Sequence, residues 1–216
     1  MAKTTYFTAT SIDGFIADER NSLDWLLAAD EGGEGGDRFG PFFAGVGAFA
    51  MGATTYEWVL AHDSMLEHPE KWHGYYGQTP CWVFTHRDLP AIPGADLTFV
   101  RGEVRPVHEA MAAAAGDRAI WLVGGGELVG AFADEGLLDE LVLGVAPVSL
   151  GAGAPLLPRR LAADPAPDGA LPDSPVPDSP ASDAPAPDRP ASDRLELTDV
   201  ERVGGFAYLT YTVRRR

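Results

Sequence analysis

Apolar and polar positions alternate between residues 4 and 10 (TTYFTAT), the two-residue period of a strand with one buried face. Residues 46–51 (VGAFAM) and 119–123 (AIWLV) are apolar without a break, the pattern of strands covered on both faces. Residues 81–85, 97–100 and 141–146 read as further short strands. Helical stretches fall at 24–29, at 54–60, at the alanine-rich 107–115 that stops at Gly116, and at 128–134. Residues 11–17 read as a turn-rich loop around Asp13-Gly14, and residues 62–79 as irregular structure with aromatic anchors. A glycine-rich run at 32–36 precedes Asp37, which stands where it would cap a short helix running to Phe43. Near the C-terminal end, residues 195–203 and 206–213 flank Gly204-Gly205, a hairpin signal. Strands alternating with helices, then a hairpin, predict an α/β fold. Its central sheet has about eight strands, mostly parallel, with an antiparallel C-terminal hairpin at one edge and helices on its flanks.

One segment breaks the pattern. Residues 164–193 hold nine of the eighteen prolines, and aspartates recur every five residues from Asp168 to Asp193. Such a tract has too little apolar surface to offset chain entropy, and its prolines remove amide donors. It reads as a disordered, extended loop. The hairpin beyond it needs a sheet to join, since two strands alone are marginal. The tract is therefore expected to be an insertion within one domain spanning residues 1–216.

The chain carries a formal charge of −16. It stays acidic without the tract, which contributes seven aspartates and one arginine. A general nucleic-acid binder needs clustered cations, so that class is not expected. No apolar run approaches the length of a membrane span, and no signal-type stretch opens the chain. Cys81 is the single cysteine, which fits a reducing compartment and a cytoplasmic location. The five histidines lack metal-ligand spacing, so no metal site is expected.

Three junctions bear candidate chemistry. In IWLVGGGEL, a buried strand meets Gly124, Gly125 and Gly126 before a helix opens at Glu127 and Leu128. Glycines let a ligand approach the backbone, and a helix N-terminus favours phosphate; a tight turn without ligand fits equally. The spacing of Gly124, Gly126 and Gly130 is one residue too long for a dinucleotide fingerprint, and no P-loop lysine follows. In FAMGATTYE, a strand reaches Gly52 and a helix whose first turn carries Thr54 and Thr55. These groups suit a pyrophosphate, while an ordinary Thr-capped helix is the plainer alternative. In VFTHR, a strand end delivers Thr85, His86 and Arg87, a set that suits a phosphate monoester or is simply surface polarity.

These segments resemble the dihydrofolate-reductase-like superfamily, and within it the subgroup sharing the reductase domain of riboflavin biosynthesis. The residues that carry the resemblance are SIDGFIAD, MGATTYE, WVFTHRDL, WLVGGGELVGAF and GLLDELVLGVAPVSLGAG, in that order. The resemblance spans residues 4–158 and 195–213 and implies the eight-stranded fold read above. It implies NADPH as cofactor, with Gly52, Thr54 and Thr55 at the pyrophosphate and Thr85 with His86 or Arg87 near the adenosine 2′-phosphate. Gly124, Gly125, Gly126, Glu127 and Leu128 would line the other side, with Ile16 near the nicotinamide. Where the family often carries Arg after the glycine, this chain has Ala53, so a cation for the 2′-phosphate is missing there.

Hydride transfer requires no protein nucleophile, so the protein's share is orientation and a proton. Asp13 and Asp37 are the candidate catalytic residues. A simple Asp-Gly turn and a helix cap are their respective structural alternatives. Trp25, Phe39 and Phe42 would stack on a flat heterocycle, or would be core aromatics. The resemblance implies a small-molecule partner, a pyrimidine- or pterin-like heterocycle such as 5-amino-6-(5-phosphoribosylamino)uracil, and a homodimer. Two alternatives stand beside it. One is dihydrofolate-reductase-type activity. The other is a non-catalytic nucleotide-binding or interaction protein that works through its acidic tract.

Overall fold

A computed structural model describes residues 2–30, 38–161 and 194–214. In chain order the elements are β1 (Thr4–Thr10), β2 (Phe15–Ala17), α1 (Asp24–Asp30), α2 (Phe39–Ala44), β3 (Val46–Gly52) and α3 (Ala53–His62). There follow α4 (Pro69–Tyr76), β4 (Cys81–Phe84), β5 (Leu97–Val100), α5 (Val104–Ala115), β6 (Ala119–Gly124) and α6 (Gly126–Asp134). The last four are β7 (Glu140–Val145), β8 (Ala154–Pro155), β9 (Arg194–Val203) and β10 (Phe206–Arg214).

Eight strands form one sheet in the order β5-β4-β3-β6-β1-β7-β10-β9. The first six run parallel, and β10 and β9 close the sheet antiparallel, as the alternation of elements predicts. The hairpin turns at Gly204-Gly205, with Val203 paired to Phe206. Thus β9 and β10, which follow residues 162–193, join the same sheet as β1 and β3 to β7, which precede them. The predicted character of the acidic tract lies outside the described residues.

The continuous apolar runs have the cause expected of them. In β3, Ala48 and Ala50 face one core cluster, while Val46, Phe49 and Met51 face another. Alternate residues of β6 divide the same way, Ile120 and Leu122 against Trp121. Val104 and Met111 of α5 and Val129 and Phe132 of α6 cover the first face. Tyr56 and Val59 of α3 and Trp72 of α4 cover the second.

Three elements differ from the sequence expectation. Residues 62–79 are not irregular throughout: α4 starts on Pro69, whose missing amide costs nothing in a first turn, and fully buries Trp72. For the same reason α5 begins at Val104 and carries Pro106 in its first turn. The supposed loop 11–17 contains β2, which pairs antiparallel with β8 in a small second sheet. Three-residue and two-residue strands are too short to show a period.

Candidate active site

The chain leaves β3 and β6, adjacent strands at the centre of the sheet, in opposite directions. From β3 it moves outward through β4 and β5, and from β6 it moves past β1 to β7. The helices that follow, α3 and α6, pack on opposite faces. A crevice must open at the carboxyl ends of strands that part in this way. A cavity of about 440 Å³ lies there.

Its floor is built from two helix N-termini. Gly52 and Gly125 are the residues before α3 and α6, both extended, and neither helix start receives a side-chain cap. The first-turn amides are therefore left for an anion, whose charge the helix dipoles favour. Gly52, Thr54 and Thr55 line the cavity from α3, and Gly124, Gly125, Gly126, Glu127 and Leu128 from α6. Gly124 has φ +140°, a conformation that side chains oppose. A Cβ on Gly126 would fall 2.3 Å from the Pro155 carbonyl oxygen and 2.6 Å from that of Leu156.

The wall is the small sheet: Ile16 and Ala17 of β2 with Ala154 and Pro155 of β8. A Cβ on Gly124 would lie 3.9 Å from Ile16 Cδ1, so this side chain stands directly over the glycine junction. Trp58, Val59 and Tyr76 add an aromatic and apolar lining. Burial raises the pKa of the Tyr76 hydroxyl, so it stays protonated near neutral pH. Among the described residues Glu127 is the one carboxylate in the lining, and its Oε2 accepts a bond from Arg159 Nη1 at 3.0 Å.

A second cavity, about 310 Å³, lies at the carboxyl ends of β4 and β5, lined by Thr85, Arg87, Asp88, Leu89, Phe99 and Arg101. Thr85 is buried; its hydroxyl accepts the Arg87 amide at 2.9 Å and so shapes the turn. Each guanidinium here has a carboxylate partner: Arg87 Nη1 meets Glu57 Oε2 at 2.8 Å, and Arg101 Nη2 meets Asp88 Oδ1 at 2.9 Å. The sequence motifs leave out Arg101 and give no role to Glu57, the last residue of FAMGATTYE; the two reach this region only through β5 and α3. His86 is exposed and lines neither cavity.

The remaining candidates fall elsewhere. Asp13 lies outside the lining of both cavities and accepts bonds from Ser11, Ser149, Leu150 and Gly151. Asp37 is outside the described residues; α2 starts at Phe39 with Arg38 at the cap position. Phe42 stacks on Phe7 at 4.4 Å between centroids, and Phe39 tilts against Trp121 at 5.2 Å; both are half-buried and pack against the core. The indole N–H of Trp25 is buried without a partner among the described residues. Cys81 is buried, which raises the pKa of its thiol. Among the described residues no metal-binding cluster forms, and no helix is long and apolar enough to cross a membrane.

The sequence profile of the RibD C-terminal domain matches residues 2–163. The chain belongs to that family. A RibD C-terminal domain is thus the setting of the crevice between β3 and β6. YwjB of Bacillus subtilis (strain 168), an uncharacterized protein, is 34% identical over 154 residues, 71% of this chain and 82% of its own length. A putative riboflavin biosynthesis protein from Shewanella sp. PV-4 superposes with a TM-score of 0.67 at 24% identity, each chain covered in full. RibD of Acinetobacter baumannii superposes with a TM-score of 0.61 at 17% identity, covering all of this chain but 59% of that one. These likenesses bear out the dihydrofolate-reductase-like fold.

Proposed function

We propose that the protein is an NADPH-dependent reductase of a pyrimidine- or pterin-like heterocycle, with 5-amino-6-(5-phosphoribosylamino)uracil as the leading substrate. The observation that carries the reading is the crevice where β3 and β6 part, with two uncapped helix N-termini converging on one cavity. Family membership and the riboflavin-pathway names of the structural relatives support it.

The residues present fit a dinucleotide. The amides after Gly52 and Gly125, with the hydroxyls of Thr54 and Thr55, would hold the pyrophosphate. Gly124 leaves backbone bare beside Ile16, so a flat ring would rest against both at the wall of the cavity. Thr85, Arg87 and Arg101 would meet a 2′-phosphate in the second cavity. A reduced nicotinamide supplies the hydride when bound. The Tyr76 hydroxyl, kept protonated by burial, would take no proton from the substrate. The homodimer belongs to the same reading; Leu197 and Val200, 51% and 60% exposed on the edge strand β9, support it.

Titration with NADPH tests the reading. Quenching of tryptophan emission is expected, since Trp58 lines the cavity. Oxidation of the cofactor should then follow on adding the ribosylaminouracil. No binding at millimolar NADPH or NADH overturns it. Binding without turnover on any heterocycle would favour a nucleotide-binding protein without catalysis.

A further inference from the structure

The β2–β8 wall is two short strands, paired at Phe15–Pro155 and Ala17–Ala154, and so little ladder does not hold itself. Something must fix it over the glycine junction. Asp13 sits two residues before β2, and its carboxylate gathers four donors. Ser11 Oγ donates to it at 2.6 Å, Ser149 Oγ at 2.8 Å, and the amides of Gly151 and Leu150 at 2.7 and 3.1 Å. Ser11 belongs to the loop after β1, and the other three belong to the loop after β7. Two backbone bonds flank this knot: the Ile12 amide to the Val148 carbonyl, and the Leu156 amide to the Gly14 carbonyl, both 2.8 Å. Ser11 Oγ also accepts the Phe15 amide at 3.0 Å, which joins the knot to the first residue of β2.

We propose that Asp13 is a positioning residue: its carboxylate fastens the loop after β1 to the loop after β7 and so holds Ile16 over Gly124 and Gly125. The cofactor consequence rests on the reductase reading; the mechanical one does not. The same bonds hold the carboxyl well below the usual carboxylate range, so Asp13 has no proton to give near neutral pH. Its role differs from that of a proton donor.

The experiment uses the full chain with D13A, D13N and the milder S149A. Amide hydrogen exchange reads the wall, and NADPH dissociation constants and pH profiles read the site. In D13A, exchange across residues 11–17 and 148–156 is expected to rise at least tenfold, with β3 and β6 unchanged, and the NADPH Kd to rise by a similar factor. D13N keeps an accepting oxygen but turns an N–H toward the donors, so it should fall between D13A and wild type; S149A removes one donor and should lose least. The pH profile of turnover should keep its shape in D13N. Unchanged exchange over 11–17 and 148–156, or loosening spread evenly over the sheet, overturns the proposal. A D13N variant with wild-type Kd that loses the alkaline limb of its profile also overturns it, in favour of a proton donor. A wild-type chain that binds no nicotinamide defeats the reductase reading, and the exchange measurement then decides the positioning role by itself.

Discussion

A single methyl group should separate two glycines on the cavity floor. At Gly126 an added Cβ meets two backbone oxygens of β8 and its neighbour at 2.3 and 2.6 Å, and backbone cannot step aside. G126A is expected to cost ~1–3 kcal/mol or more in urea denaturation, because overpacking strains both elements. At Gly52 the nearest atom is the Gly125 nitrogen at 3.6 Å, an ordinary contact, and φ is −79°. G52A should therefore denature as wild type, yet weaken NADPH binding by intruding where the pyrophosphate is proposed to lie. Glu57 acts at the other cavity. It competes for Arg87 with any phosphate that enters, and the pair is exposed, so its worth is small. E57Q should raise the preference for NADPH over NADH about two- to five-fold, read as a ratio of dissociation constants. An unchanged ratio would remove Arg87 from phosphate recognition.

At the scale of elements, the small β2–β8 sheet has the least intrinsic support and the greatest dependence on one side chain. The Asp13 carboxyl is depressed from an ordinary value of 3.8 by its hydrogen bonds, so the sign of the pH effect follows. The ionised form is the one that folding favours. Its stabilisation is complete above the unfolded value and is lost as pH falls through the lower folded value. The stability gap between wild type and D13N should be widest at neutral pH and narrow below about pH 4, measured by urea denaturation across that range. A gap constant with pH would mean that folding does not favour the ionised form of Asp13. The helices tell a related story about local signals. Pro69 and Pro106 look like breakers in the sequence but lie in first turns, where no helical bond uses their amide.

For the whole molecule, position in the sheet outweighs proximity in sequence. Cavity-lining residues come from β2, α3, α4, β6, α6 and β8, gathered because strands part at the centre of the sheet. Since β9 and β10 complete the sheet that residues 2–161 begin, deleting 168–193 should leave stability and NADPH affinity near wild type. Shortening a loop relieves only about 0.6 kcal/mol per halving of its length. A molten product would show that the tract supports the fold. Light scattering should give twice the chain mass of 22.9 kDa, and charged replacements at Leu197 and Val200 should halve it. A wild-type mass of one chain would remove the dimer.

Much of this was legible in the sequence because it depends on local physics. The apolar runs of β3 and β6 announce strands buried on both faces, Gly204-Gly205 announces the hairpin, and the glycine junctions announce backbone open to a ligand. Other features were not legible, because they depend on partners far away along the chain. β2 is a strand only because β8, more than 130 residues on, pairs with it. Asp13 read as a turn residue or a proton donor, and the loop at 149–151 makes it a fastener. Glu57 reaches Arg87 only because α3 packs beside the end of β4. Sequence by itself determined the longer strands, most of the helices and where the glycine junctions lie, since side-chain period and glycine are local. Only the tertiary structure decided which side chains meet across the crevice, since those contacts exist only once the sheet has assembled.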